Sequence, residues 1–201
     1  MKYVAKGSFG YIRSEKRRRA IVAAGLLLIP LIVYIIGLIV SGKKETIVTV
    51  VAIVGTLPAC RAIVSFIMMA MRKPMRKELY DKIVPHEGTL TTGYELYMTA
   101  YDKSALVDAL AVCGNTIVGL VTDPKADLRF EEEHITKILR TNGVASKVNL
   151  MSDEEKYIER LDSMNAHAES LRGSVRFTPD SRYPDLGLEE FILETLKAIS
   201  L

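Results

Sequence analysis

Three side chains in the stretch DALAVCGNTIVGLVTDPK, residues 108–125, have the types and spacing for metal chemistry: Asp108, Asp123 and Lys125. Asp108 stands six residues before Gly114 and Asp123 eight residues after Asn115, and a Gly-Asn pair between two apolar runs signals a tight hairpin. Facing residues on antiparallel strands have Cβ atoms about 4.5–5.5 Å apart, and diagonal ones about 7–8 Å apart. Two carboxylates that close either share a proton or bind a hard cation such as Mg²⁺, with Lys125 placed to assist a nucleophile or to neutralise charge. The same letters also spell a strand end. Pro124 removes a backbone donor, and TDPKAD reads as a turn before a helix.

The order Asp, apolar hairpin, acid-x-Lys resembles the core of the PD-(D/E)xK nuclease superfamily. Residues 106–151 look most like the nuclease-related domain of some membrane-anchored bacterial proteins, in which a helix and a further strand follow, as EEEHITKILRTNG and KVNLM do here. The resemblance implies that Asp108 and Asp123 are metal ligands, Lys125 the catalytic lysine and Glu78 an upstream acid. It also implies Mg²⁺ as cofactor and nucleic acid as substrate. Apart from this resemblance the sequence calls for no cofactor. The family more often has Glu where this chain has Asp123, and Pro124 is a further departure.

Elsewhere the usual chemical signatures are missing. The chain has no GxGxxG, phosphate-binding loop, HExxH or Gly-x-Ser-x-Gly elbow, which sets aside the easily recognised nucleotide, metalloprotease and hydrolase classes. His86, His134 and His167 stand far apart in sequence. The two cysteines, Cys60 and Cys113, have no zinc spacing and read as small buried apolar residues.

Charge is divided along the chain. Residues 1–82 carry 15 Lys/Arg against 4 Asp/Glu, a net of +11, and residues 83–201 carry 12 against 20, a net of −8. A basic front around apolar segments, followed by an acidic body, predicts a membrane-apposed portion and a solvated domain. An acidic body repels phosphate unless metal ions intervene, so nucleic acid is a partner only for the nuclease reading.

Residues 20–40, AIVAAGLLLIPLIVYIIGLIV, run for 21 residues without a charge. At 1.5 Å per residue that is about 31 Å of helix, the thickness of a hydrocarbon core. A second apolar segment, 47–71, follows after the short turn 41–46, so the two predict a transmembrane hairpin. Lys and Arg crowd the outer flanks of the pair, with Arg17, Arg18 and Arg19 before it and Arg72 and Lys73 after it, while the turn has only Lys43 and Lys44. The positive-inside rule then predicts a multi-pass cell-membrane protein with both termini cytoplasmic, and with its flanking cations on anionic lipid headgroups.

Arg61 interrupts the second span about 15 Å from its inner end. It reads either as an arginine that snorkels toward phosphates beside the kink at Pro58 or as a charge lining a pathway between oligomerised copies.

The elements that must position the acidic residues follow the spans. A basic linker, 72–93, leads to the turn-rich VPHEGTLTTG and a domain at 94–201. Strand signals at Tyr94–Tyr101, Leu106–Cys113 and Thr116–Thr122 predict a three-stranded antiparallel meander. A helix then follows Asp127 and closes at Asn142-Gly143. KVNLM is a short strand, a Ser152-x-x-Glu155 capping box opens a helix running to about Ala168, and a last helix starts at Leu188. The expected fold is an α+β or α/β cytoplasmic domain, with a basic arm, 1–19, ahead of the hairpin. Three functions fit it: a binding or regulatory module with a protein partner or a second copy, a membrane-tethered nuclease, and a channel or transporter subunit.

Overall fold

The computed structural model describes residues 4–41, 47–100, 103–173 and 186–200. The expected outer turn therefore lies almost wholly outside the described residues, as do the end of the first predicted strand at Tyr101 and most of the loop before the last helix. The chain divides into two compact units, one made of residues 1–3 and 10–74 and the other of residues 4–9 and 75–201.

The first unit is a pair of long helices, α1 (Tyr11–Ser41) and α2 (Ile47–Ala70). Both are long and apolar enough to cross a membrane, with mean hydropathies of 2.8 and 2.0 over their most apolar 18 residues. Their seam is built from small residues, since Ala23, Ala52 and Ala59 are buried and a Cβ on Gly55 would lie 3.4 Å from Pro30. Small side chains let helix backbones approach where no water drives them together. The helices run antiparallel. Lys16 Nζ donates to Ala70 O at 3.0 Å, and an Arg19 guanidinium nitrogen donates to Ser65 Oγ at 3.1 Å. The remaining surface is apolar and open, with Ile39 77% and Leu57 66% exposed.

Continuous helix from Tyr11 corrects the expected arm, whose basic residues 13–19 are the first turns of α1. Residues 4–9 belong to the other unit.

The second unit is α+β: a short helix, α3 (Lys77–Ile83), leads into a four-stranded mixed sheet whose strands lie side by side in chain order. Strands β1 (Thr91–Ala100), β2 (Lys103–Cys113) and β3 (Thr116–Leu120) pair antiparallel in succession. Gly114 has φ +57°, the positive φ that the first residue of a two-residue hairpin turn adopts without steric cost. Helix α4 (Leu128–Thr141) then crosses over so that β4 (Lys147–Met151) pairs parallel with β3, as a parallel connection requires. Asp127 caps α4 through Phe130 N, and Gly143 at φ +80° follows its end, in the polarity the sequence predicts.

The sheet has a core on each face. On one face Leu96, Val107, Leu110, Val112 and Ile117 pack with Ile135 and Leu139 of α4. Ile192 and Leu196 of the last helix, Leu188–Ile199, join this cluster. On the other face Tyr94, Ala109, Ala111, Val118 and Leu120 pack with Leu79 and Ile83 of the helix Lys77–Ile83 and with Tyr157 and Leu161 of the helix Glu154–Ala166. Burial on both faces explains why β3 is fully buried and reads as a continuous apolar run.

Four expected boundaries move. The stretch 75–93 is part of this unit instead of a linker, because Met75, Leu79 and Ile83 are core residues and β1 begins at Thr91, opposite Val112. Val4–Phe9 also joins it: Gly7 O accepts from Tyr94 N at 2.8 Å, Phe9 stacks on Tyr80 with centroids 4.1 Å apart, and Lys6 Nζ donates to Ser200 O. The cap of Glu154–Ala166 is Asp153, whose carboxylate accepts from Glu155 N and Lys156 N, and not Ser152. That helix stops at Ala166, and a separate turn of helix, Ala168–Gly173, follows His167.

Candidate functional site

Asp108 sits where the pleat of the sheet slips. Val107 points into one core and Ala109 into the other, although residues two apart on a regular strand share a face. Across from them Leu96 and Tyr94 divide in the same way. The register on both sides, Tyr94↔Ala109 and Leu96↔Val107, sets Glu95 opposite Asp108. Glu95 has φ +53°, the only positive φ of a non-glycine residue among the described residues. Both strands slip at one level, so the register is kept while two acidic residues are drawn inward, at 2% and 3% exposure.

Each carboxylate has donors. Asp108 Oδ2 accepts from Thr122 N at 2.9 Å and Thr122 Oγ1 at 2.7 Å, and Glu95 Oε1 accepts from Met75 N at 3.1 Å. Burial still pushes the Asp108 carboxyl above its ordinary range. The Thr122 bonds and the charge of Arg76 pull it back, and the charge of Asp123 adds to the rise.

Asp123 and Lys125 occupy different ground. Pairing of β2 with β3 stops at Ala109↔Leu120, and Val121 N turns instead to Met151 O at 2.8 Å. Asp123 therefore falls in a turn, where Oδ1 accepts from Lys125 N at 3.0 Å and its carbonyl accepts from Ala126 N at 3.1 Å. Asp123, Pro124, Lys125 and Glu78, the last in the first turn of Lys77–Ile83, are all exposed. Asp108 and Asp123 are thus within electrostatic reach of each other, one buried and one in solvent. Among the described residues no three His, Cys, Asp or Glu side chains are grouped to hold a metal ion.

Of the other residues singled out by sequence, Arg61 is exposed on α2, Arg17, Arg18 and Lys73 are exposed, and Arg72 is buried. Arg19 is half-buried and bonds to Glu15 Oε1 at 2.9 Å.

Two features escape sequence reasoning. Glu95 sits in YELYM, which alternates as an ordinary strand would, so nothing in the letters marks the slip. The other is a carboxylate clamp. Glu189 binds Arg172 Nε at 2.8 Å, Gly114 N at 2.8 Å and Thr91 Oγ1 at 2.9 Å. Burial alone raises the Glu189 carboxyl, but the Arg172 bond with those of Gly114 and Thr91 overcomes it and holds the group below its ordinary range. A shallow cleft of about 400 Å³ opens beside the clamp, lined by Thr91, Gly114, Arg172 and Gly187–Glu190. Every acceptor of the clamp faces a donor of the chain itself, and its function is to fasten the last helix to the hairpin turn.

Fold and site together define an α+β domain with a buried acidic pair, joined in sequence to two long apolar helices. Comparisons with protein-family models, with curated proteins and with solved structures found no match.

Proposed function

We propose that the chain is a two-span membrane protein that presents its α+β domain in the cytoplasm as a binding or regulatory module. One observation carries the reading. Residues 4–9, just before α1, and residues 75–201, just after α2, fold into one compact unit, so the chain leaves that unit into one apolar helix and returns to it from the next. If the helices cross a bilayer, the first crossing begins and the second ends on the domain's side. The open apolar surface of the helices supports burial in lipid, where each Å² removed from water is worth about 25 cal/mol. The basic flanks favour the cytoplasmic side for the domain. Protease added to inside-out vesicles should remove residues 75–201 and leave a protected fragment containing both helices. Cleavage of the domain from the outside of right-side-out vesicles would refute this topology.

A second reading, a membrane-tethered, Mg²⁺-dependent nuclease, is favoured by the electrostatic proximity of Asp108 and Asp123 and by the order helix, three strands, helix, strand. It requires Asp108 to exchange its Thr122 bonds for a metal. Calorimetry of the detergent-solubilised chain should then show Mn²⁺ or Mg²⁺ binding that Asp108→Ala and Asp123→Ala abolish. No heat, or the same heat in both variants, would eliminate it.

A further inference from the structure

The basic residues at the start of α1 fall into two groups. Lys16 and Arg19 reach across to α2, at Ala70 O and Ser65 Oγ, and Arg18 and Arg19 share Glu15. Arg13 and Arg17 face elsewhere. They stand four residues apart on continuous helix, are exposed, and have no partner among the described residues. Four residues is about 6 Å of rise and just over one turn, so the two guanidinium groups share a face.

Like charges at that spacing repel, and Glu15, the one acid in residues 1–44, already serves Arg18 and Arg19. The arrangement is unfavourable until an anion lies between the two. Position names the anion. Arg17 precedes the uncharged run that starts at Ala20 by three residues and Arg13 by seven, about 4.5 Å and about 10.5 Å along the axis, so the pair spans the headgroup layer and its outer edge when that run lies in hydrocarbon. Guanidinium is also the side chain suited to paired hydrogen bonds with phosphate oxygens.

We propose that Arg13 and Arg17 form a clamp for the phosphodiester of an anionic phospholipid on the cytoplasmic leaflet. The clamp rests on the two-span reading above and adds to it a ligand class and two residues. It differs from general charge attraction in excluding Lys16 and Arg19, which reach across to α2.

The test uses the full chain in detergent, titrated with dioleoylphosphatidylglycerol or dioleoylphosphatidylcholine, with bound lipid counted by native mass spectrometry. The phosphatidylglycerol should be retained on the order of tenfold more tightly, as expected for two basic residues close to a headgroup. Arg13→Gln with Arg17→Gln should reduce it to the phosphatidylcholine level, while Lys43→Gln with Lys44→Gln should leave the preference in place. Equal retention of the two lipids by the native chain overturns the proposal, as does a preference that survives in the double arginine variant. Displacement of the lipid by an equal concentration of soluble glycerol phosphate would also overturn it, since the site would then take free phosphate esters. Alkaline carbonate extraction of the reconstituted chain separates the two levels. A chain that washes off vesicles refutes the two spans and the clamp with them, and a chain that resists extraction but shows no lipid preference refutes the clamp alone.

Discussion

Asp108 and Glu95 show how far a single side chain's role depends on what surrounds it. The carboxyl of Asp108 has its folded-state pKa raised by burial, so its folded form holds the proton more tightly than the unfolded chain does. Its contribution to stability is complete below the unfolded value of 3.8 and is lost as pH rises through the higher folded pKa. Asp108→Asn keeps an oxygen that can accept from Thr122 and cannot ionise. Denaturation of the detergent-solubilised chain should therefore show the variant gaining on the native protein as pH rises through that window. A difference that stays constant with pH would contradict the assignment. At Glu95 the backbone and the side chain can be separated. Ala loses the bond to Met75 N and keeps the left-handed backbone, whereas Gly loses the bond and removes the strain. Glu95→Ala should thus be less stable than Glu95→Gly by about 1 kcal/mol, read from the same denaturation curves.

Elements rest on cues that differ in how well they read from sequence. Helix α4 was legible because its ends carry their own chemistry, an aspartate cap and a C-terminal Asn-Gly, and the β2–β3 turn was legible because Gly-Asn suits a hairpin locally. The helix Lys77–Ile83 was not legible. Its basic surface residues resemble a linker, and only the packing of Leu79 and Ile83 under the sheet makes it part of the core. The clamp at Glu189 was hidden for a related reason, as its partners lie 17, 75 and 98 residues away. Glu189→Gln should destabilise the domain by about 1–3 kcal/mol, the usual cost of removing a charged partner from several donors. Its lowered pKa gives the opposite sign to Asp108: this contribution is present above the unfolded value of 4.5 and is lost as pH falls through the folded pKa. The native and variant stabilities should converge in acid. A gap that persists there would show that the clamp acts by shape and not by charge.

At the scale of the whole molecule, Arg61 tests the membrane reading. It is exposed on α2 amid apolar residues, and a central arginine costs about 2.5–3.5 kcal/mol on translocon-derived scales. Arg61→Leu should raise the inserted fraction of α2 in a translocon assay and leave the domain on the same side. Loss of conductance or transport in that variant, with insertion intact, would instead favour the channel reading. The sequence by itself determined the two apolar helices, the charge division and the α+β composition of the rest, because hydrophobic run length and period are local properties. Tertiary structure decided that residues 4–9 and 75–93 belong to the domain, that β4 joins parallel to β3, and that Asp108 turns inward while Asp123 stays in solvent. These depend on contacts between residues distant in the chain and on a pleat slip shared by two strands. No window of neighbouring letters records either.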